Sequence, residues 1–385
     1  MSKIKITIIL LICLFCFRTS SVIADSKTKL FVNINSPAAV VIDNDTGRIL
    51  YNKNAEEKRP MASLTKVLTS IMLVENCKMD EMIEVPKGAA WIGGSTVGLK
   101  KGDMVSAESL LYGMLLPSGN DCAYTVGEHI GGSIENYGFM ATKKAHEIGA
   151  LNTNIANPHG LDDPNHYSTA YDMALITRYA LKNQYINGAV NTKNKTVNFG
   201  SFSKNLNNTN ALLSNYEYAD GVKTGFTNGA NRCLIASATK DNARYIAVIL
   251  GAETTKIRFN DAKTLLDECF NRYELRDIST LLNFYINIPV YKGNIATYER
   301  KIQDNMLVPL TDEEYEKIYI KQELITKIEP PMKKGEKLGS IYAYIGDEKI
   351  YEKDVYLEED IIPKTVLDYF IDGIKNMFVP TGLTL

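Results

Sequence analysis

The chain has 385 residues, of which 45% are hydrophobic, and its formal net charge at pH 7 is −2. This is the composition of an ordinary globular protein that buries a full core, and the length predicts about two domains. A net charge so close to zero gives no electrostatic reason to expect that the chain binds nucleic acid.

Residues 1–24 have the pattern of an export signal. Lys3 and Lys5 form a basic start, Ile8–Phe17 is an apolar run, and small residues lead up to Ala24. The run has the length of a signal-peptide core and is short for a transmembrane helix. We therefore predict cleavage after Ala24 and an exported, extracytoplasmic protein. An uncleaved N-terminal anchor is the alternative.

The cysteines and histidines form no recognisable ligand pattern. The cysteines beyond the predicted signal are Cys77, Cys122, Cys233 and Cys269. Their spacings suggest no disulfide framework, and most lie in apolar stretches, which favours buried free thiols at least as much as disulfides. The histidines are His129, His146, His159 and His166. They are not at metal-ligand spacing, so we expect neither a metal site nor a cofactor.

The first predicted elements are a hairpin and a buried helix. Ala38–Asp43 reads as a strand, and residues 48–51 read as the strand that returns after a turn. A nearly continuous apolar helix is predicted from Ser63, with Pro60 in its first turn. A helix of this kind belongs inside a domain. Residues 77–105 read as loops and short strands.

Further along, predicted helices give way to β-structure. The helices are predicted at residues 106–116, from Asp121 onward, at 135–149, at 169–181 and at 261–273. Three short strands, at residues 221–226, 232–238 and 244–250, form an antiparallel meander. The Asn-rich stretch at 183–215 has only a weak pattern.

These elements predict the domain organisation. Residues 25–287 are expected to form a mixed α/β (α+β) domain, and residues 288–362 a small all-β domain. After Pro363, apolar residues on one helical face and charged residues on the other predict a terminal amphipathic helix within residues 363–385. On an exported protein such a helix either lies in the plane of a membrane surface or docks on its own domain.

A serine and a lysine one helical turn apart suggest an activated nucleophile. The side chains of Ser63 and Lys66 can meet at this spacing. Burial lowers the pKa of a lysine, so that a neutral amine accepts the serine proton. The pattern is weak alone, since Ser-x-x-Lys also occurs at Ser201 and Lys204.

Two further motifs follow in order. Ser118-Gly119-Asn120 lies at a helix break, where a hydroxyl and an amide point into a cleft. Lys223-Thr224-Gly225 lies on a strand, where the small Gly225 lets a substrate backbone lie alongside. The three motifs in this order form the set shared by penicillin-binding proteins and serine β-lactamases.

The chain resembles the D-alanyl-D-alanine carboxypeptidases, which are low-molecular-weight penicillin-binding proteins of the peptidase S11 type. The matching segments are residues 61–66, 116–121, 157–161, 166–170 and 220–227. The resemblance implies a transpeptidase-like fold with a helical cluster, an antiparallel sheet and a cleft between them. It also implies a C-terminal β-sandwich domain and an amphipathic membrane anchor.

The resemblance assigns the catalytic roles. Ser63 would attack the penultimate D-alanine of a peptidoglycan stem peptide with Lys66 as general base, and β-lactams would acylate the same serine. Ser118 would relay a proton to the leaving D-alanine. The backbone N–H groups of Ser63 and Phe226 would form the oxyanion hole.

The resemblance also assigns substrate-binding roles. Asn120 would hold the substrate amide, and Lys223 and Thr224 would face the terminal carboxylate. Arg258 matches a position that helps to bind or orient that carboxylate. Cys122 directly follows the Ser118 motif, so its oxidation or alkylation is expected to disturb the cleft.

Two alternative functions remain open at this point. A serine β-lactamase would share the motifs, but nothing clearly supplies the glutamate that activates the deacylating water in class A enzymes. An inactive cell-wall-binding protein with the same fold would not be expected to keep the whole motif set intact. His159 and His166 suggest a Ser-His-Asp site, yet no Gly-x-Ser-x-Gly elbow occurs, and we expect structural hydrogen bonds from both.

Overall fold

A computed structural model describes residues 32–281, 285–301 and 305–378. The predicted signal peptide lies outside these residues. The chain divides into two compact units, of which the larger contains Leu30–Ile286 and Glu299–Tyr315. The smaller unit includes Asn287–Tyr298 and Glu316–Leu385.

The strands and helices are numbered in chain order. The strands are β1 (Ala38–Asp43), β2 (Ile49–Lys53), β3 (Met82–Glu84), β4 (Met104–Ser106), β5 (Asn194–Asn198), β6 (Ser203–Asn207), β7 (Ala219–Thr227), β8 (Asn231–Lys240), β9 (Ala243–Ala252), β10 (Glu274–Asp277), β11 (Tyr285–Pro289), β12 (Thr297–Lys301), β13 (Leu307–Leu310), β14 (Ile318–Leu324), β15 (Lys337–Ile345) and β16 (Glu348–Tyr356). The α-helices are α1 (Thr65–Asn76), α2 (Ala107–Leu115), α3 (Asn120–Gly131), α4 (Ile134–Ile148), α5 (Ala170–Ala180), α6 (Gln184–Asn191), α7 (Leu212–Asn215), α8 (Thr255–Arg272), α9 (Asp312–Tyr315) and α10 (Val366–Phe378).

A central antiparallel sheet organises the larger unit. Its five strands run in the order β2-β1-β9-β8-β7. The predicted meander is confirmed, since β7 pairs with β8 and β8 pairs with β9, each antiparallel. Strand β7 is an edge strand, so its outer backbone groups have no strand partner within the described residues.

Helices cover both faces of this sheet. Val40 and Ile42 share one core cluster with the apolar residues of the helices from α1 to α6. Ala39 and Val41 share the other cluster with Leu265 of α8. Consecutive residues of β1 thus face different cores, which is why this strand reads as a continuous apolar run rather than an alternating one.

Helix α1 is the buried helix that the sequence predicts. Every residue from Thr65 to Leu73 is buried. A 3-10 turn at Ala62–Leu64 precedes it, so the α-helix begins later than predicted and Pro60 lies ahead of its first turn. The reason is the φ of +50° at Ala62, a left-handed conformation that does not continue a right-handed helix.

Two regions differ from the prediction. Helix α8 begins at Thr255 rather than Asp261, because the side chain of Thr254 caps it by accepting the Ile257 N–H. Residues 183–215 contain α6, capped by Asn183, and a hairpin of β5 and β6. Asparagines in this stretch cap a helix and form turns. The apolar periodicity of a sequence does not reveal residues with these roles.

The smaller unit carries β-structure and the terminal helix. Its sheet contains β14, β15 and β16. Helix α10 falls in the segment predicted to be amphipathic, and Val366, Leu367 and Phe370 are 88%, 65% and 65% exposed. Among the helices of the described residues, none combines the length and the apolar character that crossing a bilayer requires.

Candidate active site

The predicted nucleophile Ser63 lies in the 3-10 turn just before α1. The Ala62 carbonyl in this turn accepts a hydrogen bond from Thr65 Oγ1 at 2.8 Å. A Cβ on Gly160 would come within 1.9 Å of the same carbonyl oxygen, so only glycine fits against the turn. A left-handed alanine is strained by about 1–3 kcal/mol, and these neighbours hold it in place.

Lys66 contacts Ser63 from the first turn of α1. Lys66 Nζ lies 2.8 Å from Ser63 Oγ, 2.7 Å from Asn120 Oδ1 and 2.8 Å from the backbone carbonyl of His159. The Asn120 amide is oriented by its Nδ2, which donates to the Gly93 carbonyl at 2.6 Å. Two of the three partners of Lys66 are therefore carbonyl oxygens, which only accept hydrogen bonds.

Burial favours the neutral form of this amine. Lys66 is fully buried, and burial together with the charge of Lys223 holds its pKa well below the ordinary value. A neutral amine has two N–H groups, which match the two carbonyls, and its lone pair then faces the Ser63 hydroxyl. The arrangement suits transfer of the serine proton to the lysine.

Ser118 occupies the turn between α2 and α3. It has a φ of +68°, and the Gly119 N–H crosses the turn to the Gly113 carbonyl at 2.8 Å. Within the part of the chain that the structure describes, the Ser118 hydroxyl has no hydrogen-bond partner. Ser63, Lys66 and Asn120 are thus joined directly, whereas Ser118 has no hydrogen bond to any of them.

A loop at residues 93–99 is fastened to the start of α3, and the sequence reasoning missed this contact. The Asp121 carboxylate accepts backbone N–H bonds from residues 97–99 at 2.9 to 3.1 Å. The Asn120 N–H donates to the Ser95 carbonyl at 2.7 Å. The sequence signal for this contact was Asp121, directly after the Ser-Gly-Asn motif. A carboxylate that is buried there needs several hydrogen-bond donors, which a nearby loop backbone can supply.

The edge strand β7 supplies the third motif. Lys223 is fully buried, and its Nζ donates to the Thr224 carbonyl at 2.9 Å. Thr224 Oγ1 lies 2.7 Å from Thr209 Oγ1. Burial and the charge of Arg258 lower the pKa of Lys223 to about 7. Amines, hydroxyls and an amide at this site suit an anionic ligand rather than a metal ion.

Gly225 is the point where β7 meets the 3-10 turn at Ala62–Leu64, which carries Ser63 and is called the nucleophile turn below. A Cβ at this position would lie 3.0 Å from the Met61 carbonyl oxygen and 3.1 Å from the Ser63 nitrogen. The structure therefore gives a different reason for glycine here from the one the sequence suggested. The missing side chain makes room for the Ser63 turn.

Arg258 and Phe226 flank this contact. Arg258 Nη1 donates to the Gly225 carbonyl at 3.2 Å and to the Cys233 carbonyl at 3.4 Å. Its buried Nε has no hydrogen-bond partner among the described residues. Phe226 is 52% exposed, with the Arg232 guanidinium 4.8 Å from its ring centre. Arg258 thus holds the backbone of β7 beside the nucleophile turn.

His166 supports the turn from behind. Its Nε2 lies 2.8 Å from Thr65 Oγ1, and its Nδ1 accepts the Ala156 N–H at 3.0 Å. Because Nδ1 is an acceptor, the neutral ring carries its proton on Nε2 and donates to Thr65. Burial lowers the pKa of His166 to about 4, so the ring is neutral at physiological pH.

His159 also has a structural role. Its backbone carbonyl accepts from Lys66, and its Nδ1 accepts the Leu161 N–H at 3.2 Å. Burial and the charge of Lys66 lower the pKa of the ring to about 3. Neither His159 nor His166 makes a hydrogen bond with Ser63 among the contacts described for the chain, as expected for structural histidines.

The structure shields Cys122, whose oxidation or alkylation is expected to disturb the cleft, from reagents in solution. The thiol is fully buried, and burial together with Asp121 raises its pKa well above the ordinary value. A buried, protonated thiol is a poor nucleophile. Cys77, Cys122, Cys233 and Cys269 are all free thiols, which is one of the two alternatives that the sequence left open.

Two sequence-family profiles match the chain. The peptidase S11 profile, described as D-alanyl-D-alanine carboxypeptidase, matches residues 23–254, and the profile of the penicillin-binding protein 5 C-terminal domain matches residues 284–362. The chain is 34% identical over 370 residues to D-alanyl-D-alanine carboxypeptidase DacF of Bacillus subtilis, which covers 94% of this chain and 95% of that protein. It is 29% identical over 371 residues to D-alanyl-D-alanine carboxypeptidase DacC of Escherichia coli, and this match covers 90% of this chain and 89% of that protein.

Solved structures are similar over most of the chain. Penicillin-binding protein 5 from Haemophilus influenzae has a TM-score of 0.71 and 28% identity, covering 86% of this chain and 98% of that chain. The carboxypeptidase DacD from Francisella tularensis has a TM-score of 0.66 and 27% identity, covering 86% and 95%. These likenesses confirm the predicted α/β (α+β) class, with helices, an antiparallel sheet and a C-terminal β domain.

Proposed function

The chain belongs to the peptidase S11 family of D-alanyl-D-alanine carboxypeptidases, and on this premise we propose a role for each residue of its site. The protein is a serine-type carboxypeptidase that removes the terminal D-alanine from peptidoglycan stem peptides through an acyl-enzyme, and β-lactams acylate it. The observation that carries the assignment of residues is the set of three hydrogen bonds made by Lys66.

We assign Ser63 as the nucleophile and Lys66 as its general base. Ser63 Oγ forms a bond to the carbonyl carbon of the penultimate D-alanine, and its proton passes to Lys66 Nζ, 2.8 Å away. The ammonium that results keeps its hydrogen bonds to the Asn120 and His159 carbonyls. The base therefore needs no rearrangement in order to carry its charge, which lowers the barrier to proton transfer.

The tetrahedral intermediate places its negative charge on the former carbonyl oxygen. We assign the backbone N–H groups of Ser63 and Phe226 to that oxygen, and the contact between Gly225 and the Ser63 turn supports this pairing. When the amide bond breaks, the leaving nitrogen takes the Ser118 proton, and Ser118 takes one from Lys66. A hydroxyl without a fixed partner is free to turn between these two positions.

The positive charge at one end of the cleft supports recognition of a carboxylate. Burial lowers the pKa values of Lys66 and Lys223, and the charges of Lys223 and Arg258, respectively, lower them further. A terminal carboxylate beside Lys223 would relieve this repulsion. We therefore assign Lys223 and Thr224 to the carboxylate, Arg258 to positioning β7 at Gly225, and Asn120 to the substrate amide as well as to Lys66.

The test uses release of free D-alanine from a peptide that ends in D-Ala-D-Ala. Ser63→Ala is expected to abolish release and acylation by fluorescent penicillin. Ser201→Ala is the matched control, because Ser201 and Lys204 repeat the spacing of the motif on exposed residues. If Ser63→Ala kept its activity, the assignment of the nucleophile would be wrong. Turnover of penicillin without D-alanine release would indicate a β-lactamase instead.

We further propose that the protein works outside the cytoplasm at a membrane surface. The predicted signal at residues 1–24 supports export. The exposed apolar side chains of α10 support in-plane association with lipid; they are Val366, Leu367, Tyr369, Phe370, Ile371 and Ile374. The chain is expected to sediment with phosphatidylglycerol vesicles, and a chain ending at Ile362 to remain in solution while still releasing D-alanine. Equal sedimentation of both chains would contradict the role of the helix.

A further inference from the structure

Three metal-binding side chains converge on the side of the larger unit where α1 and α3 end. The thiol of Cys77, a carboxylate oxygen of Glu81 and a ring nitrogen of His129 all lie within 4.8 Å of one another. Glu81 Oε1 and His129 Nε2 are 3.1 Å apart. We propose that Cys77, Glu81 and His129 form a zinc-binding site.

The donor set and its spacing suit zinc. Tetrahedral zinc with one sulfur, one nitrogen and one oxygen ligand places the ligand atoms about 3.4–3.6 Å apart. The separation of 3.1 Å between Glu81 Oε1 and His129 Nε2 is slightly shorter than this value, and no pair of ligand atoms is more than 4.8 Å apart. Small side-chain movements therefore bring the atoms to coordinating distance. A thiolate with an imidazole favours zinc over calcium or magnesium, which prefer oxygen ligands.

The three ligands stand on backbone that is held in place. Cys77 ends α1, where its N–H donates to the Leu73 carbonyl at 2.9 Å. The Glu81 N–H donates to the Lys78 carbonyl at 3.0 Å, which closes a tight turn between the first two ligands. His129 lies in the last turn of α3. A metal ion therefore has little chain entropy to overcome when it binds.

The site is partly open to solvent, since the side chains of His129 and Glu81 are 37% and 38% exposed. Cys77 is partly buried, whereas Cys122, Cys233 and Cys269 are fully buried in the cores. Cys77 also borders a surface depression of about 770 Å³. A metal ion can reach the three side chains, and water can fill a fourth coordination position.

The location indicates a structural rather than a catalytic role. Helices α1 and α3 are joined at their N-terminal ends by the bond from Lys66 to Asn120. Cys77 and His129 stand at the C-terminal ends of the same two helices. At 1.5 Å per residue these ends lie about 15 Å from the Lys66–Asn120 bond. Zinc would therefore tie together the far ends of the helices that carry the base and its partner.

The first experiment is a titration of the purified, metal-free chain with Co²⁺, a spectroscopic substitute for zinc. A thiolate-to-cobalt absorption band saturating at one equivalent is expected, and zinc should abolish it. Cys77→Ser and His129→Gln should lose the band. His146→Gln should keep it, because His146 is also in the last turn of a helix but bonds to the Thr153 carbonyl.

A second experiment measures zinc binding in the wild-type chain, so that its result does not depend on a variant that misfolds. At alkaline pH, iodoacetamide should alkylate Cys77 in the metal-free wild-type chain, and zinc should slow this at least tenfold. Zinc at a hundred times its Kd should raise the Tm by about 5 °C in the wild type and leave Cys77→Ser unchanged. Penicillin acylation should be normal in Cys77→Ser, which shows that it folds. Absence of the cobalt band, its survival in Cys77→Ser, or alkylation that ignores zinc would overturn the proposal.

Discussion

His166 Nε2 lies 2.8 Å from Thr65 Oγ1, and the same hydroxyl donates to the Ala62 carbonyl 2.8 Å away. The Ala156 N–H donates to the other ring nitrogen, so the direction of each hydrogen bond in this series is fixed. This series of hydrogen bonds ends at the carbonyl of Ala62, the residue before Ser63. The φ of +50° at Ala62 creates the nucleophile turn. A side chain more than a hundred residues away in sequence thus positions the turn without touching Ser63.

Thr65→Val tests this relationship. The change keeps the shape of the side chain but leaves the buried His166 N–H without its acceptor. The Ala62 carbonyl loses the hydroxyl bond and keeps only the backbone N–H of residue 65. We expect a loss of about 2 kcal/mol in the free energy of unfolding and at least a tenfold slower acylation by penicillin. Denaturant unfolding and stopped-flow acylation measure the two effects. Thr177→Val is the control, since that buried hydroxyl bonds only to the Met173 carbonyl of its own helix. Equal behaviour of the two variants would contradict the positioning role.

Asn120→Asp tests the protonation state of Lys66. The wild-type amide accepts from Lys66 at 2.7 Å without carrying charge. A carboxylate at this position would stabilise the ammonium and raise the pKa of Lys66, so the base would be protonated at neutral pH. We expect at least a tenfold lower kcat/KM at pH 7, and an acid limb of the pH–rate profile displaced to higher pH. The ratio of the variant's kcat/KM to that of the wild type should rise with pH, which separates this effect from misfolding, because pH would not repair a misfolded variant.

The pKa of Lys223, lowered to about 7, predicts an alkaline limb in the profile of kcat/KM. Above that pH the free enzyme loses the positive charge that we assign to binding the substrate carboxylate, so kcat/KM should fall by about tenfold per pH unit. Removing a neighbouring cation raises a lysine pKa, so Arg258→Gln should move this limb to higher pH even if the maximum rate is lower. An alkaline limb that stays in place would show that Lys223 is not the group that titrates.

Gly225→Ala tests the contact between β7 and the nucleophile turn. The added Cβ would lie 3.0 Å from the Met61 carbonyl oxygen and 3.1 Å from the Ser63 nitrogen, so the turn has to shift. Small displacements of a nucleophile lower rates by up to about a hundredfold, and we expect a loss of at least tenfold in acylation. The control is Gly188→Ala in α6, where nothing lies within 4 Å of the new Cβ. That variant should retain full activity and gain about 0.5–1 kcal/mol in stability.

Local sequence patterns predicted much of the fold and of the site. The buried helix from Thr65, the meander of β7, β8 and β9, and the meeting of Ser63 with Lys66 follow from residue types at short spacing. The errors are local too. The φ of Ala62 delayed the start of the predicted helix, and the Thr254 cap lengthened α8 by six residues at its N-terminus. Both depend on single residues that carry little weight in an apolar pattern.

The sequence by itself determined which residues are available for catalysis, because the three motifs and the pairing of Ser63 with Lys66 are matters of local order and helical spacing. Only the tertiary structure decided how that chemistry is supported. The contacts of Lys66 with Asn120 and the His159 carbonyl, of Gly225 with the Ser63 turn, and of His166 with Thr65 join distant parts of the chain. The convergence of Cys77, Glu81 and His129 is of the same kind. Such contacts arise from the packing of whole elements against one another, and the periodicity of any one segment does not contain them.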